Sequence, residues 1–362
     1  MVDTRSWLCI RQQLSSALQI QYKEIAYLRG YWPIIVNSSK IHLAGLIVAL
    51  TFVHAESWAQ PVSFGFLSIP QSSHEAALGG HIVSLREADP ALSFSNPAAV
   101  TSIESRSLGV SLATWISRSI NTGVTYSDRI RERSVFCVSA RHLNYGVSDE
   151  TDRAGNVTGT FNSRDIVVQG TYGYRLGDRM SGGATIKTVY SRYGSYSSVA
   201  IAADMGILFT SASDLLSFGI SFTDMGGQVK AFQDEREKLP FNITAGLTWQ
   251  LEHAPIRLSF TFDRLHEWDA DDFYVPEGDL KLTELLFRHI GIGADFLVTD
   301  QLYVALGCNL RNRAELAYEG RKGLAGISLG TGIRLKRMSF GLAYSRINVA
   351  SSSLFLNFVT NI

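Results

Sequence analysis

Cysteine, proline and charge are all scarce in this chain of 362 residues, and each scarcity removes a class of protein. The three cysteines, Cys9, Cys137 and Cys308, are too few and too scattered for a disulfide framework or a zinc site. A bridge between Cys137 and Cys308 stays open from sequence. Only 8 prolines argue against a disordered or linker-rich chain. Charged residues make up 18%, below the roughly 25% of an average soluble domain. With 33 basic and 33 acidic side chains the formal charge is zero, which gives no reason to expect nucleic acid or a polyanionic substrate. The apolar run at residues 41–53 is too short to cross a bilayer as a helix, which needs about 20 apolar residues.

That run has instead the length of a secretory h-region. It follows Lys40 and precedes Ser57-Trp58-Ala59, whose small residues suit a cleavage site and put the mature start at Gln60. No cysteine lies at the cut, so lipoprotein processing is not expected. A secretory n-region is normally a few residues long. Residues 1–59 therefore read as a signal peptide with a mis-called N-terminal extension, translation starting near Val36. A genuinely long signal sequence is the alternative.

From residue 106 to the end the sequence alternates with a period of two. Phe241, Ile243, Ala245, Leu247, Trp249 and Leu251 interleave with polar or small residues, and Ile256, Leu258, Phe260 and Phe262 with Arg257, Ser259, Thr261 and Asp263. Successive side chains of a strand face opposite ways, so each run has one apolar face. A soluble sandwich shares that period. Three features separate the cases. The runs are commonly about ten residues, longer than soluble strands. They number about fourteen, an even count. Their connections alternate: short after even strands, and long at residues 145–163, 225–239, 265–287 and 312–322, the parity of periplasmic turns and outer loops. The fold class is all-β: a transmembrane antiparallel β-barrel of about 14 strands over residues 106–362, in the outer membrane and its lipid bilayer. Its polar face carries Arg141, Asp165, Lys187, Asp204, Arg257, Asp263, Asp295 and Arg334, which suit a lumen far better than hydrocarbon. Tyr126, Tyr172, Tyr174, Tyr190, Trp249 and Tyr344 suit an aromatic girdle.

Residues 60–105 lack the alternation. They hold Ala76-Ala77-Leu78-Gly79-Gly80, Asp89-Pro90-Ala91 and Ser95-Asn96-Pro97-Ala98, and proline after Ser-Asn starts helices. Short helical pieces forming a periplasmic N-terminal plug are expected.

These stretches resemble the plug region of FadL-like barrels. With His253-Ala254-Pro255-Ile256-Arg257-Leu258-Ser259, residues 265–269, residues 193–198 and Leu239-Pro240-Phe241, most of the mature chain resembles the PorV/PorQ barrels of type IX secretion. The resemblance implies a Bacteroidetes outer membrane and a non-enzymatic scaffold in the cargo-attachment complex. Its implied partners are a surface protein (PorZ), the sortase PorU and the shuttle barrel PorV, with lipopolysaccharide as the acceptor of cargo. The alternative function is a FadL-like transporter of hydrophobic molecules or a porin. A transporter predicts an apolar pocket between plug and wall, or conductance.

One loop stands out. Its acidic residues, Asp263, Glu267, Asp269, Asp271, Asp272, Glu277 and Asp279, interleave with Trp268, Phe273 and Tyr274. Trp268, Asp269, Asp271, Asp272, Phe273 and Tyr274 form a candidate partner-docking outer loop, since Trp and Tyr are favoured interface anchors. A solvated loop is the plain alternative, and no calcium-loop spacing is present. No catalytic, cofactor or metal residues are assigned, and no cofactor is expected. Ser139 and His142 lie on opposite faces of one strand, and no other histidine has ligand spacing. Gly291-Ile292-Gly293 and Gly330-Thr331-Gly332 lie inside strands, where small residues facing a crowded lumen explain them.

Overall fold

A computed structural model describes residues 64–362, apart from residues 117–118, 153, 234–235, 270–272, 274–280, 317–322 and 349–350. The signal-peptide assignment lies outside the described residues. The strands are β1 (Ser107–Thr114), β2 (Ile120–Arg131), β3 (Ser134–Thr151), β4 (Val157–Arg175), β5 (Met180–Tyr193), β6 (Tyr196–Thr210) and β7 (Leu216–Lys230). They continue as β8 (Asn242–Gln250), β9 (Ile256–Phe262), β10 (Ile290–Leu297), β11 (Leu302–Asn309), β12 (Ile327–Arg334), β13 (Met338–Arg346) and β14 (Ser352–Asn361). Every strand pairs antiparallel with its sequence neighbours. β14 returns to β1, with Val110 opposite Phe358, and closes the barrel. Closure leaves no strand edge to face lipid, where each unpaired backbone group would cost several kcal/mol.

The distribution of side chains is inverted relative to a soluble protein. Val110, Leu112, Val124, Ile186, Ile201, Ile207, Leu342 and Leu356 point outward and are exposed, while Arg141, Asp165, Lys187, Asp204 and Asp295 point inward and are buried. In water such a contiguous apolar exterior would aggregate; against hydrocarbon it is the stable choice. The expected girdle residues Tyr126, Tyr172, Tyr174, Trp249 and Tyr344 are all on the outer face.

Loop parity holds at one end, where the connections after β2, β4, β6, β8, β10 and β12 are short. The opposite end differs from expectation in two places. The long loop expected at residues 145–163 is mostly ladder: β3 and β4 stay paired out to Thr151 and Val157. Beyond the lipid both faces of a hairpin are wet, so pairing continues without an apolar face. Burial there lapses to exposed on both sides, and the periodic signal vanishes from the sequence while the strand does not. β7 likewise runs on to Lys230. The loops before β10 and β12 carry helices α2 (Leu282–Arg288) and α3 (Leu310–Glu315), which follow the plug's helix α1 (Ser73–Ala77) in chain order.

The plug consists of α1 and 3-10 turns at Gly65–Ser68, Pro90–Phe94 and Pro97–Ser102. Both proline-led turns start from a side-chain cap, Asp89 accepting from Ala91 N–H and Asn96 from Ala98 N–H. The segment fills the lumen: Ile69, Leu78, Val83, Leu85, Leu92, Val100 and Ile103 are almost wholly buried.

Candidate functional site: the plug lock and the vestibule above it

The plug meets the wall through glycines. A Cβ on Gly183 would sit 2.3 Å from the Pro97 carbonyl carbon, and one on Gly307 would sit 2.2 Å from that of Leu78. Gly293 and Gly330 are crowded by Leu78 and Ala77, and Gly332 by Tyr303, as expected of small residues facing a crowded lumen; Gly291 departs from that expectation, with nothing nearer to an added Cβ than Thr261 at 3.7 Å. Backbone lies directly on backbone, so no conduit remains at these contacts.

Charge then locks what shape has fitted. The His74 ring lies between two carboxylates, Nδ1 at 2.8 Å from Glu87 and Nε2 at 2.8 Å from Asp295. A carboxylate only accepts, so both ring nitrogens donate and His74 is an imidazolium. Burial alone would lower His74, but Glu87 and Asp295 outweigh it and raise it above its ordinary value. Arg257 closes the square, donating from Nε to Asp295 at 2.7 Å and from Nη2 to Glu87 at 2.8 Å, and Arg334 also reaches Glu87. Burial opposes the charge on Glu87, yet His74, Arg334 and Arg257 hold it well below the usual carboxylate range. Tyr303 stacks on the imidazole at 3.9 Å. Glu75, one residue along, is fully buried; burial pushes it up to about 8, against hydrogen bonds from Ser95 and the Ile82 N–H. On the far wall Arg141 donates to the carbonyls of Ile69 and Phe66 and lies over the Phe66 ring, pinning the start of the plug.

Alternation along the strands identifies Arg257, Asp295 and Arg334 as inward. It says nothing of His74 and Glu87, whose partners on the barrel wall are 170 or more positions distant. The one available signal is a buried-length plug carrying charges among its small residues.

Two cavities flank the plug. At the short-turn end, a space of about 150 Å³ adjoins His74, Glu87 and Arg334. At the loop end, a vestibule of about 280 Å³ lies between the plug and the wall. They share no lining residue among those described, and α1 stands between them. The vestibule floor is Leu78 to His81, its apolar side Trp115, Ile347 and Phe355, and its polar side Thr261, Asp263 and His289. Arg264, Arg288 and Arg311 stand around it, each paired: Arg264 with Glu267 at 3.1 Å, Arg288 with Glu315 at 3.3 Å, and Arg311 with Glu315 at 3.0 Å.

Trp268 and Phe273, described residues of the acidic loop, pack at this mouth. Trp268 packs tilted against His289 with ring centroids 4.5 Å apart and keeps 45% exposure, and Asp269 beside it is exposed. Phe273 is buried, edge-on to His289 at 5.3 Å and under the Arg311 guanidinium at 4.8 Å. Asp271, Asp272 and Tyr274 lie outside the described residues.

Fold and site together define a class: a fourteen-stranded transmembrane barrel with a charge-locked N-terminal plug and a vestibule on its loop side. No protein family's sequence model, and no curated protein, matches this chain. Solved structures do. The toluene transporter TodX of P. putida superposes with a TM-score of 0.52 at 12% identity, over 82% of this chain and 99% of that one. A TodX monoaromatic hydrocarbon channel mutant gives 0.52 at 14% identity over the same shares. The CymD monoaromatic hydrocarbon channel gives 0.50 at 13%, over 83% and 99%. At such identities the shared property is the fold alone.

Proposed function

We propose that this chain is an outer-membrane barrel through which small apolar compounds are taken up, the vestibule receiving them and the plug acting as the barrier. The observation that carries the proposal is the vestibule itself, a cavity between plug and wall with an apolar side formed by Trp115, Ile347 and Phe355. A pure scaffold has no need of one. The solved relatives in fold are described as toluene and monoaromatic hydrocarbon channels, which lends support by analogy of fold alone. No enzymatic role is proposed. The test is uptake of radiolabelled alkylbenzenes by proteoliposomes containing the barrel, compared with the Gly291→Leu variant, whose side chain projects into the vestibule. Equal uptake by wild type, variant and empty liposomes would sink the proposal.

A second function has its own support. The sealed lumen and the exposed Trp268 and Asp269 at the mouth suit a barrel that holds a surface partner. With the sequence resemblance to PorQ, this makes a type IX scaffold in a Bacteroidetes outer membrane, secreted by a signal peptide and bound to PorZ-, PorU- or PorV-like proteins and lipopolysaccharide. Gentle extraction and affinity capture decide it: recovery of the barrel alone, with cargo secretion intact in a deletion strain, counts against the scaffold.

A further inference from the structure

His289 and Thr261 carry polar atoms with no partner among the described residues, both are buried, and both line the vestibule. His289 is 2% exposed, and its Nδ1 lies 2.8 Å from the Asp263 carbonyl. A carbonyl only accepts, so Nδ1 bears a proton and donates it. Among the described residues Nε2 has no hydrogen-bond partner. The contrast with His74 is direct: there both nitrogens face carboxylates, whereas among the described residues no carboxylate meets the second nitrogen of His289. In the neutral ring, with that proton on Nδ1, Nε2 carries the lone pair and is an acceptor. Thr261, 5% exposed, has an equally unpaired Oγ1. Across the β9–β10 ladder Thr261 faces Gly291, which has no side chain and whose nearest neighbour to an added Cβ is 3.7 Å away. The wall is therefore left open beside both orphaned atoms.

A buried acceptor without a donor costs about 1–3 kcal/mol, so a ligand that supplies the donor recovers that cost on binding. We propose that the vestibule selects a neutral, compact apolar molecule bearing a hydroxyl, an alkylphenol or similar alcohol, whose O–H donates to His289 Nε2. Thr261 offers its hydroxyl as a second contact, and Leu78, Trp115 and Phe355 cover the apolar body. A carboxylate is disfavoured because Arg264, Arg288 and Arg311 already hold Glu267 and Glu315. The cavity, about 280 Å³, is at the small end for ligand sites, which excludes long-chain molecules. This rests on the uptake function for its location and goes beyond it in ligand chemistry.

The test is calorimetric titration of the full chain in nanodiscs, corrected for partition into empty discs. The probes are 4-ethylphenol, its methyl isostere 4-ethyltoluene, and 4-ethylbenzoate. Wild type is expected to bind the phenol at least tenfold tighter than the isostere and the benzoate. In His289→Phe that advantage vanishes while the isostere keeps its affinity within twofold, and Thr261→Val, nearly isosteric, reduces the advantage by a smaller factor. Equal binding of phenol and isostere by wild type, or an advantage that survives in both variants, overturns the inference. In that case binding that Gly291→Leu abolishes leaves the uptake function standing. Tightest binding of the benzoate overturns the neutral ligand, and no binding of any probe overturns the ligand site and counts against uptake as well.

Discussion

Removing Glu87 should free the plug without melting the barrel. Glu87 meets His74, Arg257 and Arg334 from inside the lumen, and all but Arg334 are nearly buried. In Glu87→Ala the carboxylate of Asp295 is left alone facing His74 and Arg257, and Arg334 loses its acidic partner. Breaking a buried ion pair by deleting one partner costs about 3–5 kcal/mol. His74 can relieve part of this by shedding its proton, so the loss falls at the low end, about 3 kcal/mol. The barrel keeps its own closed hydrogen-bond ladder, so the loss appears as local opening of the plug. Cys137 reports on it: its thiol is fully buried on the inner face of β3, packed with Val100 and Ile103 of the plug and within 4.0 Å of Ser93. In a Cys9→Ser, Cys308→Ser background, maleimide labelling of Cys137 should accelerate by about two powers of ten, since about 1.4 kcal/mol is tenfold. Glu87→Gln, which keeps hydrogen-bond acceptance, should accelerate it less. Labelling that changes less than threefold, with the barrel intact by gel mobility, would refute the lock. So would labelling that rises together with exchange in the strands, because plug and barrel would then open as one unit.

Three further outcomes follow from the same contacts. Raising the pH should loosen the plug. The contribution of His74, raised above its ordinary 6.5, is complete below that value and is lost as pH climbs through its folded value; that of Glu75, favoured neutral, is complete below 4.5 and declines toward about 8. Hydrogen exchange of residues 73–103, corrected for intrinsic rates, should therefore quicken between pH 6 and 9 relative to the strands; a flat profile contradicts the assignment. Gly183→Val drives a side chain into the Pro97 backbone and should cost about 1–3 kcal/mol or more in thermal unfolding, whereas Gly291→Ala, with open space beside it, should cost little. Ile186→Arg, in the middle of β5 and 69% exposed on the outer face, should cost about 2–4 kcal/mol in refolding into bilayers, and an unchanged refolding equilibrium would argue against lipid contact there.

The barrel was legible because lipid imposes a local rule. Each strand must be apolar on one face, so Ile201, Met205, Ile207 and Phe209 announce β6 from neighbouring positions alone. Where the lipid ends the rule ends, and the outer halves of β3 and β4 went unread although their pairing continues. The plug was legible as an interruption of that rule, but its partners were not. Asn96 against Gly206 and Leu78 against Gly307 are contacts between positions more than a hundred apart, and a glycine gives no hint of what lies on it. In the acidic loop, residue type suggested both Trp268 and Phe273 as docking residues, yet of the two only Trp268 is exposed. Phe273 is drawn inward by His289 and the Arg311 guanidinium, neither of which adjoins it in sequence.

The lock and the vestibule make opposite demands, and their placement reconciles them. A barrier must exclude water and ions at all times, which calls for backbone-on-glycine packing and satisfied charges, as along Gly183, Gly293 and Gly307 and around His74. A receiving site must leave some of its polar atoms unmade, as at His289 and Thr261. Both meet at α1: His74 on its first turn sits in the lock, and Leu78 at its end lies on the vestibule floor. A ligand that pressed on Leu78 would act on a five-residue helix whose other end is held by two carboxylates. Occupancy of the vestibule should therefore change the opening rate of the plug by whatever factor the ligand binds one plug state better than the other, and no more. Cys137 labelling at saturating 4-ethylphenol measures that factor. Were it unity while the phenol binds, lock and vestibule would be independent, and uptake would need a route that leaves α1 in place.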